Sequence, residues 1–368
     1  MASARTARCP IPPLRRRFGP ILGLLLLSPI CAEYLIGYLE VMGRPLDLLT
    51  GLLILAPLYG TAAVVIREVT RRTGRGWPSI LLLSGAFGVI QAGLVDQSLF
   101  NPDFVDEPSW DLERLPTVIP VLGISLNHVL DFVAGHVIWS FAAPIAVIES
   151  CAPRVAGRPW LGRAGMVVMA VLYGLAVLVI FREHTKDFMA SPAQLAVAAA
   201  AAIALAAAAF LVPRRPSLRR SGWVPAPWLA GSIAVALMTV HHVLPGSRPG
   251  TALDLLTLVL LGGLVAWWSG RARWGRGHAL AVGGAALVAN AGLSFMVEPL
   301  GGVSLTSKYA ANAVLVVGVL ALLFWARRRL LDVAPAQVGP ELGEGAAEGG
   351  PESGGARHPE RARGDWGA

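Results

Sequence analysis

Charge is scarce in this chain of 368 residues: Asp, Glu, Lys and Arg make up 15% of it, against 55% apolar residues. A soluble domain carries about 25% charged residues, because its surface must face water. So few charges cannot cover a globule of this length, which excludes a soluble two-domain protein and leaves a polytopic membrane protein. Cysteine is scarce too. Cys9, Cys31 and Cys151 are odd in number and form no Cys-x-x-Cys, so neither a disulfide framework nor a zinc knuckle is expected. Lysine is almost missing, with Lys186 and Lys308 against 29 arginines. Beside the abundant Ala, Gly and Pro, that bias matches a GC-rich bacterial genome. Linear catalytic signatures are absent: no Walker A, no G-x-G-x-x-G after a strand, no His-Glu-x-x-His and no Gly-x-Ser-x-Gly. No repeat relates the two halves, so the inverted-repeat signature of transporters is missing as well.

Long apolar runs are present. A helix needs about 20 mainly apolar residues to cross about 30 Å of hydrocarbon. Ten stretches qualify, near 20–42, 47–66, 78–95, 124–150, 163–181, 193–212, 226–244, 250–269, 279–297 and 307–326. The fold class is therefore all-α, an integral membrane protein of about ten spans. Segment 117–123, interrupted by Pro120 and Gly123, reads as a re-entrant or interfacial piece before a long helix. With the N-terminus in the cytoplasm, 25 of the 31 basic residues fall in inside segments and six outside. Arginine and lysine favour cytoplasmic loops, so both termini are expected inside. The net charge of +8 then reports orientation in a bacterial cytoplasmic membrane, facing lipid, with no nucleic-acid partner. Trp77, Trp160, Trp223, Trp267, Trp268, Trp274 and Trp325 fall near the same helix ends, where indoles prefer the headgroup zone. Arg15-Arg16-Arg17-Phe18 has the look of a twin-arginine signal and Ser28-Pro29-Ile30-Cys31 that of a lipobox. The apolar run continues to Met42, too long for a signal peptide, so an uncleaved first helix is expected.

Four units follow: a basic N-terminus 1–19, a polar-cored four-helix unit 20–150, an Ala/Leu-rich six-helix unit 163–326, and an acidic tail 333–368 expected to be disordered. Charged and strongly polar groups inside a bilayer are costly and mark function by default. They concentrate in the first unit, at Glu33, Gln91, Asp96, Asn127, His128, Asp131 and His136. At 1.5 Å per residue, Glu33 and Gln91 lie roughly 18–20 Å from the arginine-rich side. His128 and Asp131, three residues apart, share a helix face, and His136 lies about 80° around from His128. The candidate catalytic residues are Glu33, Gln91, Asp96, Asp131 and His136, and the candidate metal ligands are His128, Asp131 and His136. A carboxylate beside imidazoles can bind a divalent metal, relay protons or activate water. The competing reading is a polar seam that only holds helices together. The acidic loop 96–116 caps this cluster, and its bland reading is a solvated loop. His184, His241, His242, Asp254 and Glu298 read as scattered interfacial groups before a second metal site. Arg67 and Glu68 read as an anchor and its neighbour, and Asn290 and Asn312 as interhelical hydrogen-bonders.

Phe132-x-x-x-His136 on a membrane helix resembles the second motif of the CPBP (CAAX-protease and bacteriocin-processing) intramembrane metalloprotease family. The stretch from Gly88-Val89-Ile90-Gln91 through His136 to Glu149 is similar to uncharacterised bacterial membrane proteins distantly related to that family. The family's Glu-Glu-x-x-x-Arg motif would fall on Gln91-Ala92-Gly93-Leu94-Val95-Asp96, which holds neither glutamate nor the arginine. Its His-x-x-x-Asn motif is approached only by His136-x-x-x-Ser140. The resemblance implies a CPBP-like core of helices one to four, with lost or altered catalysis and a peptide or lipid substrate. Two other readings stand beside it: a membrane enzyme acting on a lipid or isoprenoid with Glu33, Asp96 or Asp131 as the acid, and a proton-coupled permease relaying through Glu33, Asp131 and His136.

Overall fold

In hydrocarbon a backbone must satisfy its own N–H and C=O groups, which leaves helices as the way to fold apolar runs of this length. The computed structural model describes residues 11–105, 108–214 and 220–333. Cys9, Asp106, Glu107 and the acidic tail from 334 onward lie outside the described residues. Helix α1 (Leu14–Pro29) continues through a π-helical turn, Ile30–Tyr34. It is followed by α2 (Pro45–Arg72), α3 (Trp77–Val95), a short α4 (Pro108–Arg114), α5 (Leu126–Cys151), α6 (Arg163–His184) and α7 (Pro192–Leu211). The chain continues through α8 (Pro227–Val243), α9 (Arg248–Ser269), α10 (Arg276–Leu293) and α11 (Leu305–Leu331). Seven of these, α2, α3, α5, α6, α7, α9 and α11, are long and apolar enough to cross a membrane. The other three long helical segments, 14–34, α8 and α10, coincide with the remaining apolar runs of the sequence but are shorter or less apolar.

Local signals fix many starts. Proline stands in the first turn of α2, α3, α7, α8 and α9, where its missing N–H has no helical partner to lose. Ser191 and Gln194 form a reciprocal capping box at α7, and Ser247 caps α9. In segment 117–125, Val118–Ile119 (β1) and Ile124–Ser125 (β2) form a small antiparallel hairpin. Gly123 closes it at φ +67°, a left-handed conformation that costs glycine little.

Helices α1, α2, α3 and α5 each contain π-helical turns, at Ile30–Tyr34, Ala56–Gly60, Gln91–Val95, Val129–Ala134 and His136–Ala142. A proline lies in or beside three of the five: Pro29 precedes the first, Pro57 lies in the second and Pro144 follows the last. A proline inside a helix removes one N–H and crowds the carbonyl four residues back; for Pro144 that carbonyl is Ser140's, inside the π turn, where an extra residue relieves the crowding. Leu25, four residues before Pro29, presents its backbone to Gly60, where a Cβ would collide with the Leu25 carbonyl. The two helices meet closely there because position 60 has no side chain. The Ser28 hydroxyl sits at the same crossing, 2.5 Å from the Ser140 carbonyl of α5 and 3.1 Å from that of Tyr59 in α2.

One apolar cluster runs from Leu24 and Ile66 through Ile145 and Trp160 to Leu287 and Ala326. The boundary expected between 20–150 and 163–326 therefore crosses a shared core. Trp160 is a correction to the interfacial reading: its indole is fully buried under the Arg67 guanidinium, 3.5 Å above the ring. Trp268 and Trp274 are buried too, whereas Trp223, Trp267 and Trp325 are exposed as an interfacial belt requires.

Candidate functional site

The π turns carry the chemistry. Glu33, Tyr59, Gln91, Asp131 and His136 each sit on one. A π turn widens the helix by a residue and re-aims the side chains around it, and such turns recur at functional sites.

The first group gathers α1, α2, α3 and α5. Tyr38 Oη donates to Glu33 Oε2 at 2.5 Å, and the Tyr59 phenol interacts with the same carboxylate. Tyr59 packs against the His136 ring with centroids 5.6 Å apart. His136 Nδ1 is 3.0 Å from Ser140 Oγ. Asp96 lies within electrostatic reach of both phenols. It accepts hydrogen bonds from Gln91 Nε2 at 3.0 Å and from the Ser98 backbone at 2.9 Å. Burial nonetheless raises the Asp96 carboxyl above its ordinary value. Tyr59 and Gln91 are buried, while Glu33, Tyr38, Asp96 and His136 stay partly accessible. Four of the expected residues, Glu33, Gln91, Asp96 and His136, thus share one neighbourhood. Sequence reasoning missed Tyr38 and Tyr59. Tyr38 lies beyond the helix, after the chain turns at Gly37 (φ +77°), and Tyr59 lies in an apolar run two residues after Pro57.

Asp131 belongs to a second group. His241 Nδ1 and Asp254 Oδ1 are 2.6 Å apart, linking α8 to α9. Among the described residues, Asp131, His241 and Asp254 form the group of three whose ligand atoms lie within 4.8 Å of one another. Asp131 is exposed, while His241 and Asp254 are buried. Asn127 Nδ2 donates to Asp131 at 2.8 Å, and Asn127 Oδ1 accepts from Thr251 Oγ1 at 3.1 Å. Trp139 stacks on His241, with centroids 5.5 Å apart and planes at 16°. The sequence reading treated His241 and Asp254 as scattered interfacial groups. Both flank the short Pro245-Gly246-Ser247 connection, and a helical hairpin turning there brings residues on its two sides face to face.

His128 joins neither group. Its ring lies 4.1 Å from that of Trp110 and 5.6 Å from that of Phe132, and its Nε2 has no protein partner. The three expected metal ligands His128, Asp131 and His136 therefore occupy three different surroundings. The acidic loop folds over this end through aromatic contacts: Trp110 Nε1 donates to the Pro102 carbonyl at 2.6 Å, and Phe104 packs on Trp110. Asp103, Asp111 and Glu113 are exposed, as a solvated loop requires.

At the arginine-rich end, Arg67 and Glu68 do far more than anchor. Arg71 grips Glu149 with two nitrogens, at 2.7 and 2.5 Å, and Arg67 reaches the same carboxylate at 3.1 Å. Arg67 also donates to the carbonyls of Ala156 and Arg158, and Glu68 accepts from the backbone of Trp160 and Leu161. Arg72 completes the network on Glu68 at 2.8 Å. Every carboxylate here has an arginine. In contrast, no lysine or arginine pairs with Glu33, Asp96, Asp131 or Asp254 among the described residues. The arginine-rich end is a structural clamp, whereas these four acids are held by amide, hydroxyl, phenol or imidazole groups.

No curated protein and no solved structure matches the chain. The model of an uncharacterised membrane protein family matches residues 22–338. The chain is a multi-pass membrane protein seated in a lipid bilayer, and it belongs to that uncharacterised membrane protein family.

Proposed function

We propose that the chain is a membrane enzyme whose Glu33, Tyr38, Tyr59 and His136 form an acid–base site for a lipid or peptide substrate held within the bilayer. The observation that carries this reading is the convergence of a carboxylate, two phenols and an imidazole, three of the four on π-distorted turns, with no lysine or arginine paired to the acid among the described residues. A carboxylate and an imidazole held in a low-dielectric site can take and return a proton. Asp96, positioned by Gln91, adds a second acid within electrostatic reach. The placement on the first four long helices parallels a CPBP-like core whose paired-glutamate chemistry has changed. Ten spans with both ends on the arginine-rich, cytoplasmic face of a bacterial membrane complete the proposal.

The test is turnover by the full chain in nanodiscs, supplied with fluorescent prenyl, phospholipid and membrane-peptide substrates. Turnover of one class that falls at least 100-fold in Glu33→Gln and in His136→Ala, with melting temperatures unchanged, is the expected result. Turnover indifferent to both substitutions overturns the site. Proton-linked solute uptake into proteoliposomes, without turnover, replaces the enzyme with a carrier.

A further inference from the structure

Two aspartates facing one another repel, and taking the buried one, Asp254, out of water costs several kcal/mol unless something compensates. At the arginine-rich end the compensation is visible in Arg67, Arg71 and Arg72. Around Asp131 and Asp254 no lysine or arginine supplies it among the described residues, and Asp254 is paired with the His241 imidazole instead. The groups facing this pair are His241, Asn127 and Thr251, and Glu113 adds a third carboxylate within electrostatic reach of Asp131. His241 and Asp254 are 5% and 3% exposed, which leaves them little water, while exposed Asp131 opens the group to the outside.

We propose that Asp131, His241 and Asp254 are the protein ligands of a divalent metal site that ties α5 to the α8–α9 hairpin. One imidazole and two carboxylates suit zinc, which takes nitrogen and oxygen ligands at about 2.0–2.2 Å in sites of three protein ligands and one open position. Ligand atoms about 2.1 Å from a tetrahedral ion lie about 3.4 Å from one another, so the 2.6 Å His241–Asp254 contact opens and the longer separations, within 4.8 Å, close when an ion enters. The surroundings are those a metal site requires. Trp139 fixes the plane of the His241 ring, and Asn127, held by Thr251, orients Asp131. The site contains none of Glu33, Tyr38, Tyr59 and His136, so it stands or falls apart from the acid–base reading.

The experiment is zinc titration of the full chain, purified without a histidine tag and placed in nanodiscs, with bound metal counted by elemental analysis after dialysis. One zinc per chain is expected. His241→Ala, Asp254→Asn and the surface change Asp131→Asn each weaken binding at least tenfold, whereas Glu33→Gln leaves it unchanged. Cobalt substituted for zinc gives visible absorption bands that disappear in His241→Ala. Asp131→Asn guards against misfolding, because its side chain is exposed. Less than a tenth of a zinc per chain, or binding that survives both Asp131→Asn and His241→Ala, overturns the site.

Discussion

At the level of single residues, the same side chain has opposite meanings at the two ends of the helices. Glu149 is a carboxylate held by two guanidinium groups, a group whose job is done by its partners. Asp96 has only neutral donors, from Gln91 and Ser98, and burial raises its carboxyl above the ordinary range. The sign of its effect on stability follows. The folded protein holds the Asp96 proton more tightly than the unfolded chain does. That contribution is present below the ordinary carboxylate value and is lost as pH rises through the folded value. Asp96→Asn removes the ionisation. The variant's melting temperature relative to the native chain should therefore improve as pH goes from 4 to 8; a difference that stays flat across that range contradicts the burial of this acid. Sequence spacing located Glu33, Gln91, Asp96 and His136 because costly groups in apolar runs stand out one by one. It missed Tyr38 and Tyr59 because a tyrosine in an apolar helix is ordinary until a carboxylate is found beside it.

At the level of elements, the π turns decide what the helices present. A regular 3.6-residue helix put His128 and Asp131 on one face with His136 near it. Two π segments, Val129–Ala134 and His136–Ala142, break that regular progression, and the three side chains reach three environments. Pro144 accounts for His136–Ala142, Pro29 and Pro57 adjoin Ile30–Tyr34 and Ala56–Gly60, and Gln91–Val95 and Val129–Ala134 contain no proline. The close crossing at Gly60 predicts a measurable asymmetry between glycines. Gly60→Ala forces the Leu25 backbone away and should cost about 1–3 kcal/mol, the usual penalty for overpacking. Gly85→Ala meets only side-chain methyl groups, at 3.6 and 3.8 Å, and should be tolerated. Thermal unfolding in one detergent compares the two directly, and equal losses would remove the crossing as the cause.

For the whole molecule, the arginine-rich end is where the helices are tied together. The network of Arg67, Arg71 and Glu149 joins α2 to α5, and Arg67 continues it into the 152–162 loop. Arg329 reaches the Cys151 carbonyl from α11, and Arg276 reaches Pro153 from α10. Glu149→Ala strands two buried guanidinium groups, and a loss of about 3–5 kcal/mol is expected, read as a large drop in melting temperature. A drop no larger than that of an exposed control such as Glu183→Ala would show the clamp to be dispensable. Orientation has its own test. Reporters fused at residues 105 and 217 should report opposite sides of the membrane, with 217 in the cytoplasm, and the same side for both defeats the proposed ten-span topology.

The sequence by itself determined the class of protein. Apolar runs about 20 residues long leave a backbone in hydrocarbon no alternative to helices, and the scarcity of charge made each acid in those runs visible. Which acids meet was beyond its reach. The Ala- and Leu-rich second half reads as packing scaffold, yet it supplies His241 and Asp254 to Asp131, 110 and 123 positions earlier in the chain. Arg67 and Glu68 read as an anchor and its neighbour, and the packing buries both fully in a network with Glu149 and Trp160. A sequence records the cost of a buried charge. The partner that offsets it comes from another helix, and only the packing of the helices decides which one.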